Sequence, residues 1–191
     1  MPKCHMKIAT ALIAAAASLA AAHAAPSAEP AREVLNRAMP SGFKPGFQTT
    51  QGGMVMEEWV PADETVDTWT QMITLQTFSG LAVAPNQMLQ GWGDRMIGAC
   101  PGLTHSNIVN GNANAYPTSM LFVSCPDNPQ THKPENIAAR VIRGRDRLYM
   151  VQFAFRRPLD ADDDARMRQF MASAILCDRT APDHPCPAAT R

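Results

Sequence analysis

The segment 137–157 constrains the fold of this 191-residue chain more than any other. It contains two β-compatible runs that meet at a polar turn over residues 143–146. In the second run, side chains alternate between two faces, as they do along a strand. One face carries Tyr149, Val151, Phe153 and Phe155, and the other carries Leu148, Met150, Gln152 and Ala154. Because both faces are mostly apolar, the hairpin predicts a sheet that is covered by another layer on each side.

Periodic apolar residues predict three helices around this sheet. The clearest follows Asp160, a candidate N-cap, and its apolar residues recur at helical spacing. They are Met167, Phe170, Met171, Ala174 and Ile175. A second helix is expected from Pro85 until the Cys-Pro-Gly sequence at 100–102, and a short third one over residues 31–39.

Further strands are predicted over residues 54–60, 69–78, 105–109 and 115–125. Residues 65–78 also show helical spacing, but their Thr, Ile and aromatic content favours a strand. The Asn110-Gly111 pair is typical of a hairpin turn. The element order α-β-β-α-β-β-β-β-α predicts an α+β fold, an α/β/α sandwich with a mainly antiparallel sheet covered by helices.

Residues 1–24 have the pattern of a signal peptide. Lys3 and Lys7 precede an Ala-rich apolar run, and Ala22-His23-Ala24 fits a cleavage site. A membrane anchor is the alternative, disfavoured because the run is short and weakly apolar. The expected organisation is a signal peptide (1–24), a flexible segment (25–30), one α+β domain (31–178) and a Pro-rich tail (179–191). We therefore expect a periplasmic or secreted protein with no transmembrane span after cleavage.

The charge balance argues against nucleic-acid binding. The chain has 17 basic and 17 acidic residues. Removal of Lys3 and Lys7 leaves 15 basic residues against 17 acidic ones, a net charge of −2. Nucleic-acid-binding domains are usually strongly basic.

Four cysteines follow the predicted signal peptide, and an even number in an exported protein indicates disulfides. The short, turn-rich link between Cys177 and Cys186 favours their pairing, which leaves Cys100 with Cys125. The other pairings and four free thiols remain alternatives. A zinc site is less favoured because the chain has no CxxC pair.

Two motifs resemble a group of small exported bacterial proteins of uncharacterised function. One is the Val60-Pro61 turn with the segment WTQMIT at 69–74. The other is the pattern GxDxxYxVQxAFR, which begins at Gly144. The element order is similar to that of the PsbP/Mog1-like sandwich. That resemblance implies a binding or assembly role without catalysis, although a fold does not determine a function.

Six arginines on or beside the hairpin form the candidate ligand- or partner-binding set, because guanidinium groups bind carboxylates and phosphates in a bidentate manner. They are Arg140, Arg143, Arg145, Arg147, Arg156 and Arg157. The alternative is a solvated sheet edge on which these arginines pair with nearby aspartates. The expected partner is an unknown envelope protein or a small anionic ligand.

The residues disfavour three other chemistries. The pair Met54-x-Met56 could bind Cu(I), but most methionines fit core positions, where they fill gaps. Ser106 follows His105 without a nucleophile motif. Glu57 and Glu58 face opposite sides of a strand, so they are poor partners for a carboxylate pair, and an inward-facing Glu58 is the candidate for a raised pKa.

These observations predict an exported cell-envelope protein that acts as a non-catalytic binding or assembly module. We expect no catalytic residue, metal or cofactor. The alternative is an envelope hydrolase whose active site is assembled from loops.

Overall fold

The computed structural model describes residues 32–187. They belong to the second of the two contact units, Met1–Pro30 and Ala31–Arg191, into which the chain divides. The predicted signal peptide and the segment 25–30 lie outside the described residues. Among residues 32–187, no helix is long and apolar enough to cross a membrane.

The described residues form ten strands and two helices. In chain order these are β1 (Glu33–Asn36), β2 (Phe43–Gln51), β3 (Met54–Pro61), β4 (Gln71–Ser79), α1 (Pro85–Ala99), β5 (Thr104–His105), β6 (Val109–Ala113), β7 (Tyr116–Asn128), β8 (Lys133–Arg143), β9 (Arg147–Phe155), α2 (Ala161–Ser173) and β10 (Ile175–Asp178). Eight strands form one sheet in the order β2-β3-β4-β9-β8-β7-β5, and β6 also pairs with β7. All pairings are antiparallel, and β1 and β10 form a separate two-stranded sheet.

The central strand β9 separates two hydrophobic layers, as its alternation predicts. Leu148 and Met150 pack in the layer that contains Leu89 of α1. Phe153 and Phe155 pack in the opposite layer against Met167 and the rest of the α2 stripe. The chain is therefore an α+β sandwich with a mainly antiparallel sheet, and this prediction is confirmed.

Helix α2 begins as its sequence predicts. The Asp160 side chain accepts a hydrogen bond of 2.7 Å from the Asp163 amide, which would otherwise lack an intrahelical partner. The helix ends at Ser173, however, and Ile175 lies in β10. The predicted helical stripe was therefore too long by two residues, Ala174 and Ile175.

Three other local predictions were wrong. The strand predicted over 105–109 is interrupted, because β5 ends at His105 and β6 begins at Val109. The predicted helix at 31–39 is instead the strand β1, whose register joins Leu35 to Leu176. The predicted turn residues Asn110 and Gly111 lie within β6. The β6–β7 hairpin turns at Asn114 and Ala115, which adopt positive φ angles of 50° and 63°.

Both expected disulfides are present. Cys100, just after α1, is joined to Cys125 of β7, and Cys177 of β10 is joined to Cys186. The first bond ties α1 to the sheet, and the second ties the tail to the small β1–β10 sheet.

Candidate functional site

The six arginines lie in three separate places. Arg140 is in the middle of β8, three others surround the β8–β9 turn, and two follow the far end of β9. Strand β9 has nine residues, which span roughly 30 Å at about 3.3 Å per residue. The structure therefore does not gather the six into one patch.

Arg140 binds the end of helix α2. Its guanidinium donates hydrogen bonds to the carbonyl oxygens of Met171, at 2.5 Å, and Ala174, at 3.1 Å. Its Nε donates to the Thr118 hydroxyl at 3.1 Å. Carbonyl groups at a helix C-terminus lack intrahelical donors and carry partial negative charge, so a cation is favoured there. Arg140 thus holds α2 against the sheet.

The arginines at the β8–β9 turn contact neighbouring elements. Arg143 donates to the Leu81 carbonyl. Arg145 donates its backbone N–H to Glu33 of β1 at 2.8 Å, and its guanidinium lies 3.4 Å from Asp178 of β10. Burial, together with the adjacent Glu33 carboxylate, raises the pKa of Tyr149 to about 12. The contacts of Arg145 with Glu33 and Asp178 hold the small β1–β10 sheet against the turn.

The two arginines after β9 are also paired. Arg156 contacts Glu135 at 3.1 Å and stacks over the Trp69 ring at 3.7 Å. Arg157 contacts the buried Asp163 at 2.6 Å. A small anion at either position would compete with a carboxylate that is already in place.

A cleft between α1 and the edge of the sheet brings together the residue types of a hydrolase. Its volume is about 190 Å³, and Asp94, His105 and Ser106 line it over a floor that includes Leu121. The Ser106 hydroxyl donates to the Asn107 carbonyl at 3.0 Å and accepts from the Phe122 amide at 3.1 Å.

The three side chains are not joined to one another by the hydrogen bonds that a catalytic triad needs. His105 Nδ1 lies 2.8 Å from the Ser106 carbonyl oxygen, and Asp94 accepts from Gln90 at 3.0 Å. In this arrangement Ser106 acts as a link that holds the interrupted edge strand, between β5 and β6, to β7.

Part of the α1 side of the sheet remains accessible beside the helix. Helix α1 packs on β7 and β8. Residues that lie opposite one another on paired strands have their side chains on the same face of the sheet. The row Thr49–Met56–Gln76–Met150 therefore runs from the edge strand β2 to the core on this face. Its outer residues are half-buried, and Phe47 nearby is 45% exposed. We call the part of this face on β2, β3 and β4 the open sheet face.

Two thioethers meet at the centre of the open sheet face. Gln76 Nε2 lies 3.6 Å from the sulfur of Met54 and 3.6 Å from that of Met56. Its Oε1 accepts a hydrogen bond of 3.2 Å from Gln152. The sequence pattern singled out the two methionines, but it could not indicate that Gln76 lies between them.

Glu58 follows Met56 on the same face of β3. Burial raises the pKa of this carboxyl above its ordinary value, as expected for a partly desolvated carboxylate. Glu57, on the other face, binds Arg37 and the Trp59 indole, each at 3.3 Å. The two carboxylates are thus separated by the sheet, in agreement with the alternation of β3.

Comparison with known proteins shows similarity at the level of structure only. No family model matches the chain, and no curated protein is detectably similar in sequence. The resemblance of its two motifs to an exported group therefore stays a prediction.

Three solved structures illustrate the likeness. The Ran-binding protein Mog1p of Saccharomyces cerevisiae is 10% identical, with a TM-score of 0.47 over 75% of this chain and 93% of that one. The protein of unknown function PA94 from Pseudomonas aeruginosa is 11% identical, with a TM-score of 0.46 over 83% and 100%. LpqN of Mycobacterium tuberculosis, involved in cell envelope biogenesis, is 10% identical, with a TM-score of 0.41 over 78% and 83%. These are likenesses of fold, and they extend to no partner or activity.

Proposed function

We propose that this protein is an exported, non-catalytic binding module of the cell envelope, and that it contacts a protein partner through the open sheet face. The signal-like N-terminus and the two disulfides support export, because disulfides persist in oxidising compartments. The observation that carries the proposal is the open sheet face itself, where apolar and amide side chains remain accessible beside a covered half.

The chemistry of the open sheet face favours a protein over a small anion. Its accessible side chains include Phe47, Thr49, Met56 and Gln76, and Glu58 contributes a negative charge. An anion would be repelled by Glu58, and five of the six arginines near the β8–β9 hairpin are engaged by other partners. A partner with a largely uncharged, apolar and amide-bearing surface fits this face best.

Site-specific photo-crosslinking in the producing cells tests the proposal. A photoreactive residue at position 49 is expected to give one discrete protein adduct, and Phe47→Asp is expected to abolish it. The matched control places the probe at Arg168, whose side chain is 76% exposed on α2. If both positions give the same adducts, or position 49 gives none, the open sheet face is not the contact surface.

The hydrolase alternative would use the cleft beside α1. Ser106 would have to exchange its backbone partners for His105 before it could act as a nucleophile. We expect the purified chain to show no turnover of generic ester or glycan substrates. Turnover that is lost in Ser106→Ala, together with no discrete adduct at position 49, would favour the hydrolase over the binding module.

A further inference from the structure

Met54 and Met56 differ from the methionines that fill the core. Met72 and Met150 are buried in the α1-side layer, and Met167 and Met171 in the α2-side layer. Met54 and Met56 belong to neither layer and are half-buried on the open sheet face. The expectation that methionines serve the core therefore holds for the first four, whereas Met54 and Met56 stay partly exposed outside both layers.

The two sulfur atoms are directed at a single point. Both lie 3.6 Å from the same Gln76 nitrogen, so they are separated by at most twice that distance. Residues two apart on a strand share a face, and register places Gln76 opposite Met56 on β4. The strand pairing thus places the three side chains next to one another on one face, and no loop is needed to position them.

We propose that Met54 and Met56 form a binding site for a soft monovalent metal ion of the Cu(I) class. Neutral thioethers select soft ions such as Cu(I), whereas magnesium and calcium prefer oxygen ligands. All four cysteines of the described chain are held in disulfides, which leaves methionine sulfur as its soft donor. Among residues 32–187, no group of three His, Cys, Asp or Glu side chains could form a competing site for a harder ion.

Small movements would complete the site. A metal–sulfur bond is about 2.3 Å in zinc–cysteine sites, so an ion near the present Gln76 nitrogen would draw each sulfur inward by roughly an ångström. Methionine has three rotatable bonds and adapts readily. Rotation of the Gln76 amide would move its nitrogen away from the point between the two sulfurs. Glu58, next on this face of β3, would supply a neutralising negative charge nearby.

This inference uses the open sheet face but does not rest on the protein partner proposed for it. Metal binding is measured on the isolated chain, whereas the partner is sought by crosslinking in cells. Either proposal can fail while the other stands.

Competition titration tests the site. The purified chain with both disulfides intact is titrated anaerobically with Cu(I) held by bicinchoninate, with ascorbate as the reductant. We expect one equivalent to bind. The variant Met54→Leu/Met56→Leu should bind at least about tenfold more weakly, which is the lower end of the loss caused by removing even an outer partner of a metal ligand. Met120→Leu is the control, because Met120 is exposed on the opposite face of the sheet.

A second measurement uses the wild-type chain, so its result does not depend on whether the double variant folds. Ag(I), which has the same charge and softness and no accessible redox step, is added to wild-type chain carrying ¹³C-methyl methionine. The methyl signals of Met54 and Met56 should shift, and that of Met120 should not. Absence of binding, equal binding by the double variant, or shifts spread evenly over all methionines would overturn the proposal.

Discussion

At the scale of single residues, charged side chains are used mainly to join elements. Arg140 neutralises the end of α2, Arg145 bridges to Asp178, and Arg157 meets the buried Asp163. The sequence predicted that arginine would cluster near the hairpin, but the pattern could not reveal the partners, since most lie far away in the chain. Arg140 and Ala174, for example, are 34 residues apart.

Replacement of Arg140 by Met should lower the free energy of unfolding by roughly 2–3 kcal/mol, because two carbonyl groups at the end of α2 lose a charged donor. Urea unfolding monitored by circular dichroism measures the change. Arg168→Met is the matched control, since it removes only an exposed ion pair with Asp164 and should therefore cost much less. Equal losses in the two variants would mean that Arg140 does not anchor the helix.

Asp178 makes the stability of the fold depend on pH in the acid range. Hydrogen bonds from the Thr180 hydroxyl at 2.7 Å and the Thr180 amide at 2.8 Å lower the pKa of this carboxyl below its ordinary value. A carboxyl whose pKa is lower in the folded state stabilises the fold above its unfolded pKa of about 3.9. That contribution is lost as the pH falls below 3.9 and through the folded pKa.

The stability difference between wild type and Asp178→Asn should therefore be largest near neutral pH and should narrow as the pH is lowered from about 4 toward 2. Urea unfolding at a series of pH values measures it. Asp183→Asn, exposed on the same tail, is the control and should stay close to wild type throughout. A difference that widens in acid would contradict the lowered pKa.

At the scale of elements, the local signals succeeded where the pairing partner lies nearby in the sequence. Local sequence patterns are sufficient to predict the β8–β9 hairpin, the β3 strand and both helices without knowledge of what they pack against. Strand β1 was predicted as a helix because Val34, Leu35, Ala38 and Met39 have helical spacing. Its partner β10 lies about 140 residues away, and this long-range pairing overrides a weak local preference.

Gly144 is where β1 meets the hairpin turn. A Cβ atom there would lie 2.3 Å from Glu33 Oε2. Gly144→Ala should displace the carboxylate from the Arg145 amide and lower the unfolding free energy by about 1 kcal/mol. Gly111→Ala is the control, because a Cβ atom there meets nothing within 4 Å. In a Glu33→Ala background the cost of Gly144→Ala should shrink, and an unchanged cost would show that Glu33 is not the obstacle.

At the scale of the whole molecule, two cross-links close loops of different length. Cys100 and Cys125 are 25 residues apart, and Cys177 and Cys186 are 9 apart. Loop entropy assigns about 3.5 kcal/mol to the first and about 2.6 kcal/mol to the second. The double variant Cys100→Ala/Cys125→Ala should therefore lose roughly 1 kcal/mol more than Cys177→Ala/Cys186→Ala in urea unfolding. The reverse order would indicate that packing around the tail outweighs loop closure.

The pairing of β1 with β10 has a mechanical consequence. Because Glu33 lies opposite Asp178 in an antiparallel pair, the chain enters and leaves this small sheet at the same end. Force applied to the chain before Glu33 and after Asp178 would pull the two strands apart sideways. Their hydrogen bonds would then break one after another. The Cys177–Cys186 bond would pass the load directly to the second-last residue of β10. The two-stranded β1–β10 sheet is therefore expected to separate at low force, while the eight-stranded sheet stays intact.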